Sequence, residues 1–136
     1  MTELTGGGGS GTGVAVPETV RLTIPAALEF VRIARLVASG VASRVGFDVD
    51  EIEDLRVAVD ELSSVLVEVA RDEQLELAFT PNPKGIEIEG RTRIDGAREP
   101  AVDELTKQIL AVVVDEYGVE TQSGEARFRC VKRLSN

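Results

Sequence analysis

Glu61 and Glu68 stand two helical turns apart in a segment, residues 48–70, whose apolar side chains recur at helical spacing. They therefore share one helix face. Carboxylates so placed offer oxygen ligands to a hard cation such as magnesium. Asp54 precedes them and Val65 lies between them on the same flank, where the helix is expected to leave the core. The bland reading of each carboxylate is an ordinary solvated side chain. The chain has no histidine, which removes histidine-dependent triads, Cys-His nucleophiles and most zinc sites. The single cysteine, Cys130, alternates with Phe128 on an expected strand and reads as a small buried hydrophobe.

The helix that carries these residues announces itself. Asp48 suits an N-cap, and Glu51 three residues later completes a capping-box pattern. Asp50, Glu51, Glu53 and Asp54 place negative charge at the positive end of the helix dipole. Ile52, Leu55, Val59, Leu62, Leu66 and Val69 form one apolar stripe, so a helix is expected from about 49 to 71.

Around it, residues 19–24 alternate as a strand that Pro25 ends. Residues 27–45 carry Leu28, Phe30, Val31, Ile33, Ala34, Leu36, Val37, Val41 and Val45 on a broad apolar helical face, with Gly46 as C-cap. Residues 75–79 and 86–89 alternate on either side of the turn 81–85 and predict a hairpin. Residues 95–100 read as a loop, and 101–116 as a helix weakened locally by Val112-Val113-Val114. Strands near 118–122 and 125–133 follow, joined by a tight turn at Ser123-Gly124. Every strand alternates apolar and polar, so the sheet has one covered and one wet face and is mostly antiparallel. The expected fold is a two-layer α/β sandwich, a mixed, mostly antiparallel sheet covered on one face by three helices.

Composition narrows the partners. With 15 basic against 24 acidic residues, the net charge is −9. That balance argues against direct nucleic-acid binding and favours basic protein partners. No apolar run is long enough to span a membrane and no signal-type segment opens the chain, so the cytoplasm is the expected location. Residues 1–17 are glycine-rich and read as a flexible tail before one domain at 18–136. A phosphate-binding loop is the sharper reading of those glycines. It fails because no Lys-Ser/Thr pair follows and no strand precedes.

The element order and the segment Ile52-Glu53-Asp54-Leu55-Arg56-Val57-Ala58-Val59-Asp60-Glu61-Leu62 resemble the anti-sigma-factor serine-kinase branch of the GHKL ATPases, the Bergerat or histidine-kinase-like fold. Leu22-Thr23-Ile24-Pro25, Arg32 to Val37, and Ala126 to Leu134 fit the same pattern, so the resemblance covers about residues 18–134. It implies that Glu61 stands where the family's glutamate assists phosphoryl transfer. Val65 stands where an asparagine ligates magnesium on ATP. Asp95-Gly96 stands late and imperfectly for the Asp-x-Gly-x-Gly segment that reads adenine, and Arg98-Glu99-Pro100-Ala101 replaces the second glycine-rich motif.

Val65 has no oxygen for a metal, so no cofactor and no metal are expected, and Glu61 is a vestige of the catalyst. The resemblance implies a bacterial regulator, of the stress-response kind, that sequesters an alternative sigma factor and is displaced by an anti-anti-sigma antagonist of the STAS type. Glu29, Arg32 and Arg35 on the first helix are the implied partner contacts, and a homodimer through the sheet near the first strand is a further implication. Two alternatives stand beside this one. The first is a Mg-ATP-dependent serine kinase using Glu61 with Glu68 as substitute ligand. The second is a small regulatory or scaffold domain with no sigma-factor link.

Overall fold

The computed structural model describes residues 18–71, 74–95 and 98–135. The glycine-rich segment assigned to a tail, and Gly96, lie outside these residues. The elements follow as β1 (Val20–Pro25), α1 (Leu28–Val45), α2 (Val49–Val69), β2 (Gln74–Asn82), β3 (Gly85–Arg93), α3 (Glu104–Val113), β4 (Glu116–Gln122) and β5 (Glu125–Arg133). This is the order that the alternating and helical patterns predict. The five strands form one sheet in the order β1-β2-β3-β5-β4, and all four neighbouring pairs are antiparallel.

The pleat decides what faces the helices. Leu75, Leu77 and Phe79 of β2, Ile86 and Ile88 of β3, and Ala126, Phe128 and Cys130 of β5 are all buried on the covered side. Each large side chain so buried contributes about 1.5–3 kcal/mol. Gly90 lies opposite Phe128 in the register. A Cβ there would meet Phe128 Cε2 at 2.3 Å, so the ring needs the bare glycine beneath it. Cys130 is fully buried, and burial pushes its thiol up to about 12.

The helices are set by their ends. Gly46 adopts the left-handed conformation at φ 107° and, with Phe47, donates to the Ala42 carbonyl. At the start of α2, Asp48 Oδ1 accepts the Glu51 N–H and Glu51 Oε1 accepts the Asp48 N–H, both at 2.8 Å. The hydroxyl of Ser135 donates to the other Glu51 oxygen and ties the end of β5 to this cap. That bond first, and the Asp48 N–H second, hold the Glu51 carboxyl below the usual carboxylate range.

Three expectations need correction. The buried stripe of α1 is Val31, Ala34, Ala38, Val41 and Ala42, whereas Leu28, Ile33 and Leu36 are exposed. Alanines share the packed face with Val31 and Val41, and the largest aliphatics of the expected face lie outside it. The third helix is shorter than 101–116: Asp103 caps it through the Thr106 N–H, and it ends at Val113 where the β-branched run turns extended. Val65 is not on a flank leaving the core. Only 9% of it is exposed, and it packs in the same core as Leu62 and Leu66. α2 is covered by α1, by α3 and by the sheet, so its buried arc is wider than the stripe of three-and-four spacing.

Ser123 and Gly124 both take positive φ between β4 and β5, the backbone of a tight hairpin turn. Among the described residues no helix is long and apolar enough to cross a membrane.

Candidate functional site

The flank of α2 meets α3, and this seam holds the carboxylate singled out from the sequence. Thr106 Oγ1, in the first turn of α3, donates to Glu61 Oε1 at 3.2 Å. Glu61 is half-buried there, one turn from the aliphatic, buried Val65. Glu68 is exposed two turns beyond Glu61, and no described contact joins the two carboxylates. Asp95 is exposed after β3. The structure therefore brings Glu61 to α3 rather than to a second acidic ligand.

The other end of the seam holds a residue that the sequence reading missed. Lys132 of β5 is buried, and its Nζ donates to the Val113 carbonyl at 2.9 Å, the open C-terminal end of α3. The same ammonium stands 3.7 Å from Asp54 Oδ2 on α2. One side chain thus joins β5, α2 and α3. The signal was available: Lys132 has the same strand parity as Phe128 and Cys130, so it had to point inward.

Of the expected partner contacts on α1, Glu29 and Arg32 are exposed. Arg35 is half-buried, and its Nη1 donates to Asp60 Oδ1 on α2 at 2.6 Å. Arg35 closes the α1–α2 seam as well as facing outward. Leu28 and Leu36, 63% and 61% exposed, stand with Glu29 and Arg32 on the outer side of α1. α2 beside it carries Asp50, Glu51, Glu53, Asp54, Asp60, Glu61 and Glu68 against Arg56 alone.

The open face of the sheet is a shallow cleft of about 560 Å³ floored by Ala78 and Gly118. Several of its charges are paired within the chain. Arg91 pairs with Glu76 at 2.8 Å, and Arg129 pairs with Glu87 at 2.7 Å and with Glu116 at 3.4 Å. Arg133 also bonds Glu116, and these arginines, Arg133 first, hold the Glu116 carboxyl below the usual range. Neither this cleft nor the smaller one beside the β2–β3 turn is lined by Glu61, Val65 or Asp95.

No family model matches the chain. Single relatives do. Serine-protein kinase RsbW of Bacillus subtilis (strain 168) is 30% identical over 77% of this chain and 79% of its own length. The chain belongs to the RsbW family. This is the anti-sigma branch of the GHKL ATPases that the helix motif resembles. RsbW of Bacillus velezensis is 29% identical with the same coverage. RsbW of Halalkalibacterium halodurans reaches 47% identity over 42% of this chain, which is 35% of that relative's length. A crystal structure of the RsbU and RsbW domains of a Mycobacterium tuberculosis protein superposes with a TM-score of 0.70. It covers 88% of this chain and 33% of that one at 18% identity, which is a likeness of fold.

The RsbW resemblance makes Mg-ATP the group to test against this seam. Its side chains do not fit it. The position assigned to the metal-binding asparagine is the aliphatic Val65, packed in the core. One Glu61 oxygen, Oε1, accepts from Thr106.

Proposed function

We propose that this RsbW relative is a cytoplasmic regulatory binding protein that sequesters an alternative sigma factor without ATP-dependent kinase activity. An anti-anti-sigma protein of the STAS type competes for it. The observation that carries the reading is the α2–α3 seam, where Val65 is core and Glu61 is engaged by Thr106. Phosphoryl transfer rests on metal and positioning, and the aliphatic Val65 offers no oxygen to a metal. Binding needs only surface. The outer side of α1 offers Leu28 and Leu36 for apolar contact, with Glu29 and Arg32 to set orientation. The acidic α2 beside it steers a basic partner.

The name of the relatives favours a second reading, a serine kinase that uses Glu61 with Glu68 as a substitute metal ligand. Titration calorimetry with ATP and magnesium, paired with a labelled-phosphate transfer assay on the antagonist from the same genome, separates the two. The first reading expects no saturable heat and no transfer. Transfer that Glu61→Gln abolishes would establish the second.

A further inference from the structure

The geometry points to a second protein-docking surface, on the shoulder between α2 and α3, that takes a short amphipathic helix whose apolar stripe is flanked by lysine or arginine. It is separate from the outer side of α1, and it stands whether or not the partner of α1 is a sigma factor.

The two helices run antiparallel. Thr106, near the start of α3, meets Glu61, and Val113, at its end, is linked through Lys132 to Asp54. α3 sends Leu110 and Val113 into the core. Two of its large apolar residues do not follow them: Leu105 is 67% exposed and Val112 80%. They stand two turns apart, about 10 Å along the axis. Ile109, partly buried against the core, lies between them on the same line. With both helices lying on one sheet, right-handed winding puts this line on the solvent side of α3 nearest α2. Val57 of α2, also partly buried, stands level with Ile109 and Leu110 in the antiparallel register.

Charge borders the strip on one side only. Asp50, Asp54, Glu61 and Glu68 follow one another at spacings of four and seven along the flank of α2 that faces α3. Arg56, the basic residue of α2, lies on another face and pairs with Glu53. The Lys132 ammonium is buried and shared between Asp54 and the Val113 carbonyl. Beyond the strip, α3 exposes Glu104, Gln108 and Ala111.

This pattern names its occupant. Apolar residues at i, i+4 and i+7 of a docked helix match Leu105, Ile109 and Val112. Cationic residues beside them reach the carboxylates of α2, and a chain of net charge −9 draws such a segment in. The same field repels nucleic acid and anionic lipid head groups, so the helix belongs to a protein.

A fluorescent leucine–lysine peptide, about 15 residues long with leucine at i, i+4 and i+7, serves as the probe. It is titrated against the full chain by anisotropy, and its contacts are mapped by backbone amide shifts. The expected result is saturable binding that weakens with salt, with shifts centred on Val57 and on residues 105–112. Leu105→Asp combined with Val112→Asp alters only exposed side chains, keeps the urea midpoint and weakens binding about tenfold or more. Glu68→Lys weakens it about threefold. Leu28→Asp on α1 leaves it unchanged, and a peptide with glutamate in place of lysine does not bind. Absence of saturable binding overturns the inference. So does equal binding of the glutamate peptide, or indifference to the double substitution. Shifts confined to the outer side of α1 overturn it too, while leaving the reading of that helix in place.

Discussion

Replacing Val65 with asparagine asks whether only a metal ligand is missing or the surrounding pocket as well. Val65 is 9% exposed and packed among core side chains. Val65→Asn forfeits the larger part of an apolar burial of about 1.5 kcal/mol. It also buries a carboxamide with no designated partner, at about 1–3 kcal/mol. Asparagine costs a further few tenths in a helix interior. The sum is a loss of about 2–4 kcal/mol, a large share of the 5–15 kcal/mol typical of a domain. Urea denaturation followed by far-UV circular dichroism, with and without Mg-ATP, measures it. The expected outcome is a lower midpoint with an unchanged slope, and no rescue by nucleotide. A loss below about 1 kcal/mol, or a midpoint that rises with Mg-ATP, would refute the reasoning, because the side chain would then reach an open phosphate site.

Four further outcomes follow from particular contacts. Gly90→Ala forces its methyl against Phe128 and should cost about 1–3 kcal/mol by urea denaturation. Lys132→Met leaves the Val113 carbonyl unpaired and should raise amide exchange in α3 above that in α1. Glu51 titrates lower in the folded chain than in the unfolded one. Its contribution is therefore full above the unfolded value and disappears as pH falls through the folded value, and Glu51→Gln should flatten that acid limb of a stability-versus-pH curve. Cys130, with its thiol pushed up to about 12, should not react with a thiol reagent at pH 8 until the chain is unfolded.

What the sequence could disclose was local. The capping box at Asp48 and Glu51, the glycine cap at Gly46 and the period-two strands each depend on neighbours in the chain, and each stands in the fold. What it hid depends on who packs against whom. Val65 read as a flank residue, yet it is buried in the core, which depends on packing that the chain's own spacing does not disclose. The contact of Thr106 with Glu61 is equally non-local. Leu28, Ile33 and Leu36 counted toward a core face on hydrophobicity alone. The buried stripe is instead Val31, Ala34, Ala38, Val41 and Ala42. Lys132 was legible by strand parity, but a lysine among apolar residues reads by habit as solvent-facing. Arg35 was chosen for its charge, and nothing in the chain marks Asp60 as its partner.

The most direct test of the central claim is affinity capture of this chain's partners from its native host, with and without Mg-ATP, read by mass spectrometry. The account predicts a sigma factor or its antagonist, recovered equally in both conditions. Recovery that changes with Mg-ATP would contradict it, because nucleotide control would then survive without an oxygen ligand at Val65.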